Sequence, residues 1–172
     1  MLETLEYIEK GGAIMYILIA LNIVGFSVML SKIIKFTLIK LNSKKLTEKI
    51  VNNSQDIDKN IDKLLKNELT YEIKKLESGL NTIKIIAQIA PLLGLLGTVI
   101  GVFNAFDTIS EKGLEDASFF ASGISLALIT TVGGLIVAIP HYIGYNYLIG
   151  SIDKLEIKLE KELFKSFYER AV

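Results

Sequence analysis

Ile85–Phe106 reads IIAQIAPLLGLLGTVIGVFNAF and contains no Asp, Glu, Lys or Arg, although Lys84 and Asp107 flank it directly. A helix needs about 20 apolar residues to cross the hydrocarbon core of a bilayer, which is about 30 Å thick. The run meets that length, and its freedom from charge predicts a membrane-spanning helix. The alternative is a buried helix of a soluble core, but a small soluble protein rarely buries several uncharged helices.

Two further charge-free runs lie on either side of this one. Gly11–Ser31 stands between Lys10 and Lys32, and a third run begins at Ala117 and meets no charged residue until Asp153. At about 1.5 Å per residue, the third run is too long for one simple crossing. We therefore expect it to span the membrane and to continue beyond it as one helix. The sequence predicts an all-α integral membrane protein with three transmembrane helices.

The distribution of lysine and arginine predicts how the chain threads the membrane, because short cytoplasmic loops are enriched in these residues. Residues 1–10 carry one lysine against three glutamates, and 107–116 carry only Lys112. Residues 32–84 carry twelve lysines, and the tail after the third run carries five basic residues. The N-terminus is therefore expected outside and the C-terminus inside. The acidic start also argues against a cleaved signal peptide, which begins with a basic segment.

These patterns divide the chain into seven predicted segments. Within the inner loop we expect the first helix to continue to about Asn53, a turn at 52–54, and a second helix near 57–78 that ends before Gly79. The apolar residues of these inner helices recur at helical spacing, which is typical of a stripe packed against neighbouring helices; a partner-binding role is left open. The segments are an outer N-terminal segment 1–10, a first transmembrane helix 11–34, an inner helical loop 35–84, a second transmembrane helix 85–106, an outer loop 107–116, a third transmembrane helix 117–149 and an inner C-terminal helix 150–172.

The composition excludes several classes of function. The chain has no cysteine, one histidine and a net charge of zero, so disulfides, thiolate metal sites and histidine-rich metal clusters are excluded, and neither a cofactor nor nucleic acid is expected. No nucleophile–base pair can be assembled, so we do not expect an enzyme. For the single histidine, His141, we favour an interfacial side chain that reaches toward water over a proton relay.

Small residues recur at helical spacing along the second and third runs, where they permit close contact between backbones. Their density exceeds what three helices of one protomer need, which predicts a homo-oligomer; tight packing within the monomer is the alternative. The first helix is expected to be a plain lipid-facing anchor. The predicted packing residues are Gly94, Gly97, Gly101, Gly123, Ala127 and Gly134.

Thr98 and Thr131 stand out because each lies on a small-residue face. If those faces line an oligomer axis, their hydroxyls face a central cavity. Proteins that move ions or protons normally keep an ionisable group inside the membrane, and none of the charge-free runs contains Asp, Glu, Lys or Arg. If this protein takes part in ion movement, another chain must supply the titrating group. Pro91 and Pro140 lack an N–H and are expected to kink their helices near the inner end.

Two strings carry a family resemblance. They are APLLGLLGTVIGVFNAF at Ala90–Phe106 and GISLALITTVGGLIVAIPHYIGYN at Gly123–Asn146. Both resemble the ExbB/TolQ/MotA family of proton-channel proteins. The resemblance implies a pentameric ring of ExbB-like subunits in the bacterial inner membrane, with the outer side facing the periplasm. It also implies an ExbD-like partner whose single transmembrane helix bears a proton-carrying aspartate opposite Thr98 and Thr131.

The activity implied by the resemblance is conversion of proton-motive force into motion that energises a TonB-like protein, for outer-membrane uptake of iron-siderophores and vitamin B12. One position departs from the family: ExbB and TolQ commonly carry a glutamate five residues before the second threonine, and Leu126 stands there. The short inner loop argues against flagellar MotA. A TolQ-like subunit of the Tol-Pal system and a non-conducting membrane scaffold stay open.

Overall fold

The computed structural model describes residues 7–42, 47, 61–113 and 117–171. Four α-helices account for nearly all of these residues, and residues 7–10 add a short helical turn. The prediction of an all-α protein is confirmed for the described residues. The helices are α1 (Gly12–Leu41), α2 (Ile61–Glu77), α3 (Leu80–Lys112) and α4 (Ala117–Ala171).

Three of the helices are long and apolar enough to cross a membrane: Gly12–Leu41, Leu80–Glu111 and Phe120–Lys165. The third charge-free run lies within α4, which continues beyond it as one helix of 55 residues, as expected. The expected helix near 57–78 appears as α2, whereas the turn predicted at 52–54 lies outside the described residues. The sides of the membrane assigned to each segment stay a prediction.

Two glycines end helices. Gly79 separates α2 from α3 with a φ of 86°, and Gly113 follows α3 with a φ of 73°. Residues with a side chain rarely adopt this left-handed backbone conformation, whereas glycine adopts it at low cost in free energy. The amide of Gly113 donates to the carbonyl of Ile109 at 2.9 Å, which satisfies one of the last carbonyls of α3. The expected interruption before the second transmembrane helix is therefore a glycine break.

The chain forms two compact units, and the second comprises Val28–Asn81 and Tyr145–Val172. In its core, the buried apolar residues of α2 pack against the buried apolar residues near the C-terminal end of α4. Lys66 extends this contact at the surface, since its ammonium lies 3.4 Å from the Glu160 carboxylate and 5.8 Å from the Phe164 ring centre. The stripes therefore pack against each other inside one chain. Their buried members are Leu65, Leu69, Ile73, Leu76, Ile152, Leu155, Leu159 and Leu163.

The first unit comprises Met1–Ser27 and Thr82–Gly144, and close contact between α3 and α4 organises it. A Cβ added to Gly134 would lie 2.6 Å from the carbonyl oxygen of Ala90 and 3.1 Å from the Cα of Gly94. A Cβ added to Gly101 would lie 2.6 Å from the carbonyl oxygen of Gly123 and 2.8 Å from the Ala127 amide nitrogen. Backbone atoms occupy these positions, so larger residues would force the helices apart.

This contact corrects one step of the sequence argument. The density of small residues was expected to exceed what one protomer needs, yet Gly94, Gly101, Gly123 and Gly134 contact the opposite helix of the same chain. Helices in lipid gain little by burying apolar surface, so dispersion and close backbone contact stabilise their association. The intramolecular contact between α3 and α4 accounts for these small residues without a second subunit.

The first helix is not a plain lipid-facing anchor. One face of α1 is buried at Met15, Leu18 and Gly25. Leu18 is fully buried and belongs to a cluster with residues of α3 and α4. The other faces of α1 are exposed. The N-terminal part of α1 therefore packs with α3 and α4 in the first unit. The other members of the cluster are Ile86, Ala90, Val137 and Ala138.

His141 does not reach toward water. Its side chain is fully buried, its Nδ1 lies 2.7 Å from the carbonyl oxygen of Val137, and its ring meets Phe26 edge to face at 4.9 Å between centres. A Cβ added to Gly25 would overlap the imidazole. The expectation of an interfacial histidine is therefore wrong. The glycine on α1 creates the space that the ring fills, and this pairing could not be read from either residue alone.

Gly134→Ala is expected to destabilise the protein by about 1–3 kcal/mol, because the new methyl group would overlap backbone atoms of α3 that cannot move independently. Gly150→Ala is the matched control, since a Cβ there meets nothing within 4 Å and alanine favours a helix interior. Thermal unfolding in detergent, followed by circular dichroism, measures both. Equal melting temperatures for the two variants would contradict the close contact.

Gly25→Ala is also expected to destabilise the protein, by about 1–3 kcal/mol, because the methyl group and the imidazole of His141 would occupy the same space. Adding His141→Ala should relieve the overlap, so the double variant should lose less stability than the sum of the single changes. Val24→Ala, at an exposed neighbouring position, is the control. Additive losses would show that the two residues do not share this space.

Candidate functional site

Thr98 and Thr131 lie on α3 and α4, and the structure brings their hydroxyls into direct hydrogen-bond contact. The Thr98 hydroxyl also lies 3.1 Å from the carbonyl oxygen of Ala127 on the opposite helix. Both hydroxyls lie 3.3 Å from the carbonyl oxygen of Gly94. The two threonines therefore form one hydroxyl pair that bridges α3 and α4.

Gly94 makes the hydroxyl pair possible. A Cβ at this position would lie 2.8 Å from the carbonyl oxygen of Thr130 and 3.1 Å from the Cα of Thr131. The absence of a side chain lets the backbone of α4 approach closely enough for the Thr131 hydroxyl to reach the Gly94 carbonyl. The small residues thus do more than pack two helices, because they set the distance between the hydroxyls.

The Thr98 hydroxyl has more acceptors within reach than it has protons to donate. Each hydroxyl has one proton to donate and two lone pairs that accept, and the Thr98 hydroxyl has three oxygen partners within reach. The carbonyls of Gly94 and Ala127 already accept backbone N–H groups one turn later in their helices. A hydroxyl that turns away therefore leaves no carbonyl without a donor. Either hydroxyl can therefore turn and donate its hydrogen bond to a third group at a small cost in free energy.

The hydroxyl pair is accessible, whereas the neighbouring threonine is not. Thr98 and Thr131 are half-buried, but Thr130 is fully buried. The Thr130 hydroxyl donates within its own helix, where the carbonyl oxygens of Leu126 and Ala127 lie at 3.1 Å and 3.0 Å. Its side chain packs over Gly97. Thr130 is thus a packing residue that resembles Thr131 in sequence alone.

The remaining predicted positions also lie on α3 and α4. Pro91 and Pro140 lie inside continuous helices, where each removes a backbone donor for the carbonyl one turn earlier. Leu126 is half-buried and lines a polar recess with Asn104 and Ser125. Across the described residues, no group of three or more His, Cys, Asp or Glu side chains could hold a metal ion.

Sequence reasoning missed the buried contact between Gly25 and His141. A glycine in the middle of the first charge-free run was the available signal, since glycine in a helix interior often marks close packing. The sequence contained no signal for which helix would approach it.

Comparison with known proteins shows which family has this sequence. Residues 32–161 match the model of the MotA/TolQ/ExbB proton channel family. The chain belongs to this family. The match spans α2, α3 and most of α4, so it includes both threonines and the whole contact between α3 and α4.

Relatives within the MotA/TolQ/ExbB family carry the ExbB name. An ExbB homolog of Methanothermobacter thermautotrophicus, named for biopolymer transport, is 32% identical over 91% of this chain. The biopolymer transport protein ExbB of Aquifex aeolicus is 44% identical over 46% of the chain, and that of Xanthomonas campestris is 37% identical over 51%. The chain covers 66%, 53% and 34% of the lengths of these relatives, in that order.

Proposed function

We propose that this chain is an ExbB-like subunit of a proton-driven motor in the bacterial inner membrane. The observation that carries the proposal is the hydroxyl pair of Thr98 and Thr131, held between two helices that have no charged residue at that depth. Such a pair can donate to or accept from a carboxyl group, but it cannot itself carry a proton across the membrane. An ExbD-like partner with one transmembrane helix supplies the aspartate.

The proposed assembly is a pentameric ring of this chain around the partner helices. The ring converts proton-motive force into motion of the partner and of a TonB-like protein, which energises outer-membrane uptake of iron-siderophores and vitamin B12. Family membership and the ExbB names of the relatives support this function, and those names do not favour a TolQ-like role. The lysine distribution supports a periplasmic N-terminus and a cytoplasmic C-terminus.

Thr98→Val and Thr131→Val test the hydroxyl pair. Each replaces a hydroxyl by a methyl group of similar size, so packing is kept while the hydrogen bond to the carboxyl group is lost. A hydrogen bond to a charged group contributes about 1.5–3 kcal/mol, so proton flux should fall about tenfold or more. Flux through the chain co-expressed with its partner can be followed with a pH-sensitive dye in liposomes.

Thr130→Val is the matched control, since the same substitution one residue away removes a hydroxyl that bonds only its own helix. Flux in this variant should stay within about twofold of the unchanged protein, because such a back-bond contributes little. Normal flux in both Thr98→Val and Thr131→Val would exclude the pair from proton handling.

Replacing the partner's membrane aspartate by asparagine distinguishes a motor from a non-conducting scaffold. The motor requires a group that binds and releases a proton, so both proton flux and TonB-dependent uptake should be abolished while the complex still purifies intact. Uptake that survives this change would favour the scaffold.

A further inference from the structure

An apolar groove of about 560 Å³ lies between α1 and α4 in the first unit. Its α4 wall is open, since Leu128, Val132 and Ile136 are each more than half exposed. The lining includes one amide, Asn22, whose Oδ1 is buried and has no hydrogen-bond partner among the described residues. Lipid chains can fill the groove, but they have no N–H to donate to this oxygen, and an unpaired amide in hydrocarbon is unfavourable. The groove therefore suits an apolar occupant with one donor at the depth of Asn22.

An exposed apolar ridge lies on α3. Its five residues recur every three or four positions, so at 3.6 residues per turn they form one line along the helix. Each is at least 56% exposed, and the line lies on the side of α3 opposite Gly94 and Gly101, which contact α4. The ridge therefore points away from its own chain and cannot fill the groove of that chain. This α3 ridge consists of Leu92, Leu95, Val99, Phe103 and Phe106.

Gln88 continues the α3 ridge toward the start of the helix, since it precedes Leu92 by four residues. Its side chain is exposed and forms no hydrogen bond within the part of the chain that the structure describes. The hydroxyls of Ser27 and Thr108 behave differently, because they donate to the carbonyl one turn earlier in their own helices. The groove and the ridge thus each present one amide that the chain itself does not satisfy.

Asn22 and Gln88 lie at the same depth. Leu18 packs in a cluster with residues of the segment 86–90 of α3, and a Cβ added to Gly25 would lie 3.1 Å from a side-chain carbon of that same segment. Asn22 lies between these two positions on α1, and Gln88 lies inside the segment. Copies arranged around an axis normal to the membrane hold equivalent residues at one depth, so the amide of one copy can meet that of the next.

We propose that the α3 ridge of one copy of this chain packs into the groove between α1 and α4 of the next copy, where the Gln88 amide donates a hydrogen bond to the Oδ1 of Asn22. Contact between two unlike surfaces leads from copy to copy and closes into a ring when the rotation permits; the inference rests on the ring of the proposed function. Thr98 precedes the ridge residue Val99 and points about 100° away from it around α3, so the hydroxyl pair stays outside this interface.

The two parts of the interface have different roles. Helices in lipid associate through dispersion and through hydrogen bonds between helices. The ridge in the groove supplies the dispersion contacts, whereas the amide pair sets the register. A shift of one helical turn, about 5.4 Å, would leave both amides without a partner in hydrocarbon.

Disulfide cross-linking in membranes tests the packing, because the chain has no cysteine of its own. Val99→Cys on the ridge is combined with Leu128→Cys in the groove. These positions share one depth, since they follow Thr98 and Ala127, whose hydroxyl and carbonyl oxygens lie 3.1 Å apart. Neighbouring copies should join into a ladder of multimers on a non-reducing gel, whereas each single cysteine should give no ladder. Ile100→Cys with Leu128→Cys is the matched control at a 41% exposed position beside the ridge.

The control pair should cross-link about tenfold more slowly or less, because a disulfide forms only when the two Cα atoms lie within about 7 Å and the side chains point toward each other. Equal rates for the two pairs would overturn the packing of the ridge in the groove.

Gln88→Leu and Asn22→Leu test the amide pair through the dissociation constant of the oligomer, measured in liposomes by energy transfer between labelled copies. Each should weaken association about threefold or more. The double variant should be no weaker than either single variant, because the same hydrogen bond is lost only once. Ser27→Ala is the control and should leave association unchanged, since that hydroxyl bonds its own helix. Unchanged association in Gln88→Leu and Asn22→Leu, or additive losses, would exclude the amide pair.

Failure of the interface and failure of the proposed function give different results. An oligomer that is intact by native mass spectrometry but forms no ladder through Val99→Cys and Leu128→Cys overturns this interface and leaves the ring, with lipid or another helix in the groove. A ladder together with normal flux in Thr98→Val and Thr131→Val overturns the proposed function and leaves the interface. A chain that stays monomeric in the presence of its partner overturns both.

Discussion

The close approach of α3 and α4 at Gly94, Gly101 and Gly134 is the constraint on which the first unit depends. Lipid gives helices no hydrophobic reason to associate, so they must gain from dispersion and from polar contacts that need short distances. Glycine supplies those distances because backbone meets backbone without an intervening side chain. The hydroxyl contact of Thr98 with Thr131 and the bond of Thr98 to Ala127 exist only at this separation.

The same contact fixes two hydroxyls in a part of α3 and α4 that contains no Asp, Glu, Lys or Arg. The hydroxyls of Thr98 and Thr131 are fixed in position but are not committed to one partner, since their carbonyl acceptors are already satisfied by the helices. Thr130 shows the contrast, because its hydroxyl is enclosed over Gly97. Two adjacent threonines on one helix therefore have different chemistry, and the direction of each side chain decides which one can meet a partner.

The first helix belongs to this unit through Leu18 and through the fit of His141 beside Gly25. The imidazole of His141 is fully buried inside an apolar unit. Its Nδ1 contacts a helix carbonyl and its ring meets Phe26 edge to face, whereas its Nε2 has no hydrogen-bond partner among the described residues. The exposed surface of α1 can still face lipid. One helix can thus combine an anchor's outer face with a packed inner face.

Charge-free runs determined the helical class and the three apolar helices, and small-residue spacing singled out Thr98 and Thr131, because each is a property of consecutive residues along a helix. The break at Gly79 and the apolar stripes of α2 and of the end of α4 could also be predicted from the sequence, because they too depend on neighbouring residues of one helix. Only the tertiary structure decided that the small residues meet inside one chain, that Thr130 and Thr131 differ, that His141 lies against Gly25 and that Asn104, Ser122 and Ser125 share a recess. Each of these depends on which helix lies opposite and at what rotation, and periodicity within a single helix contains neither.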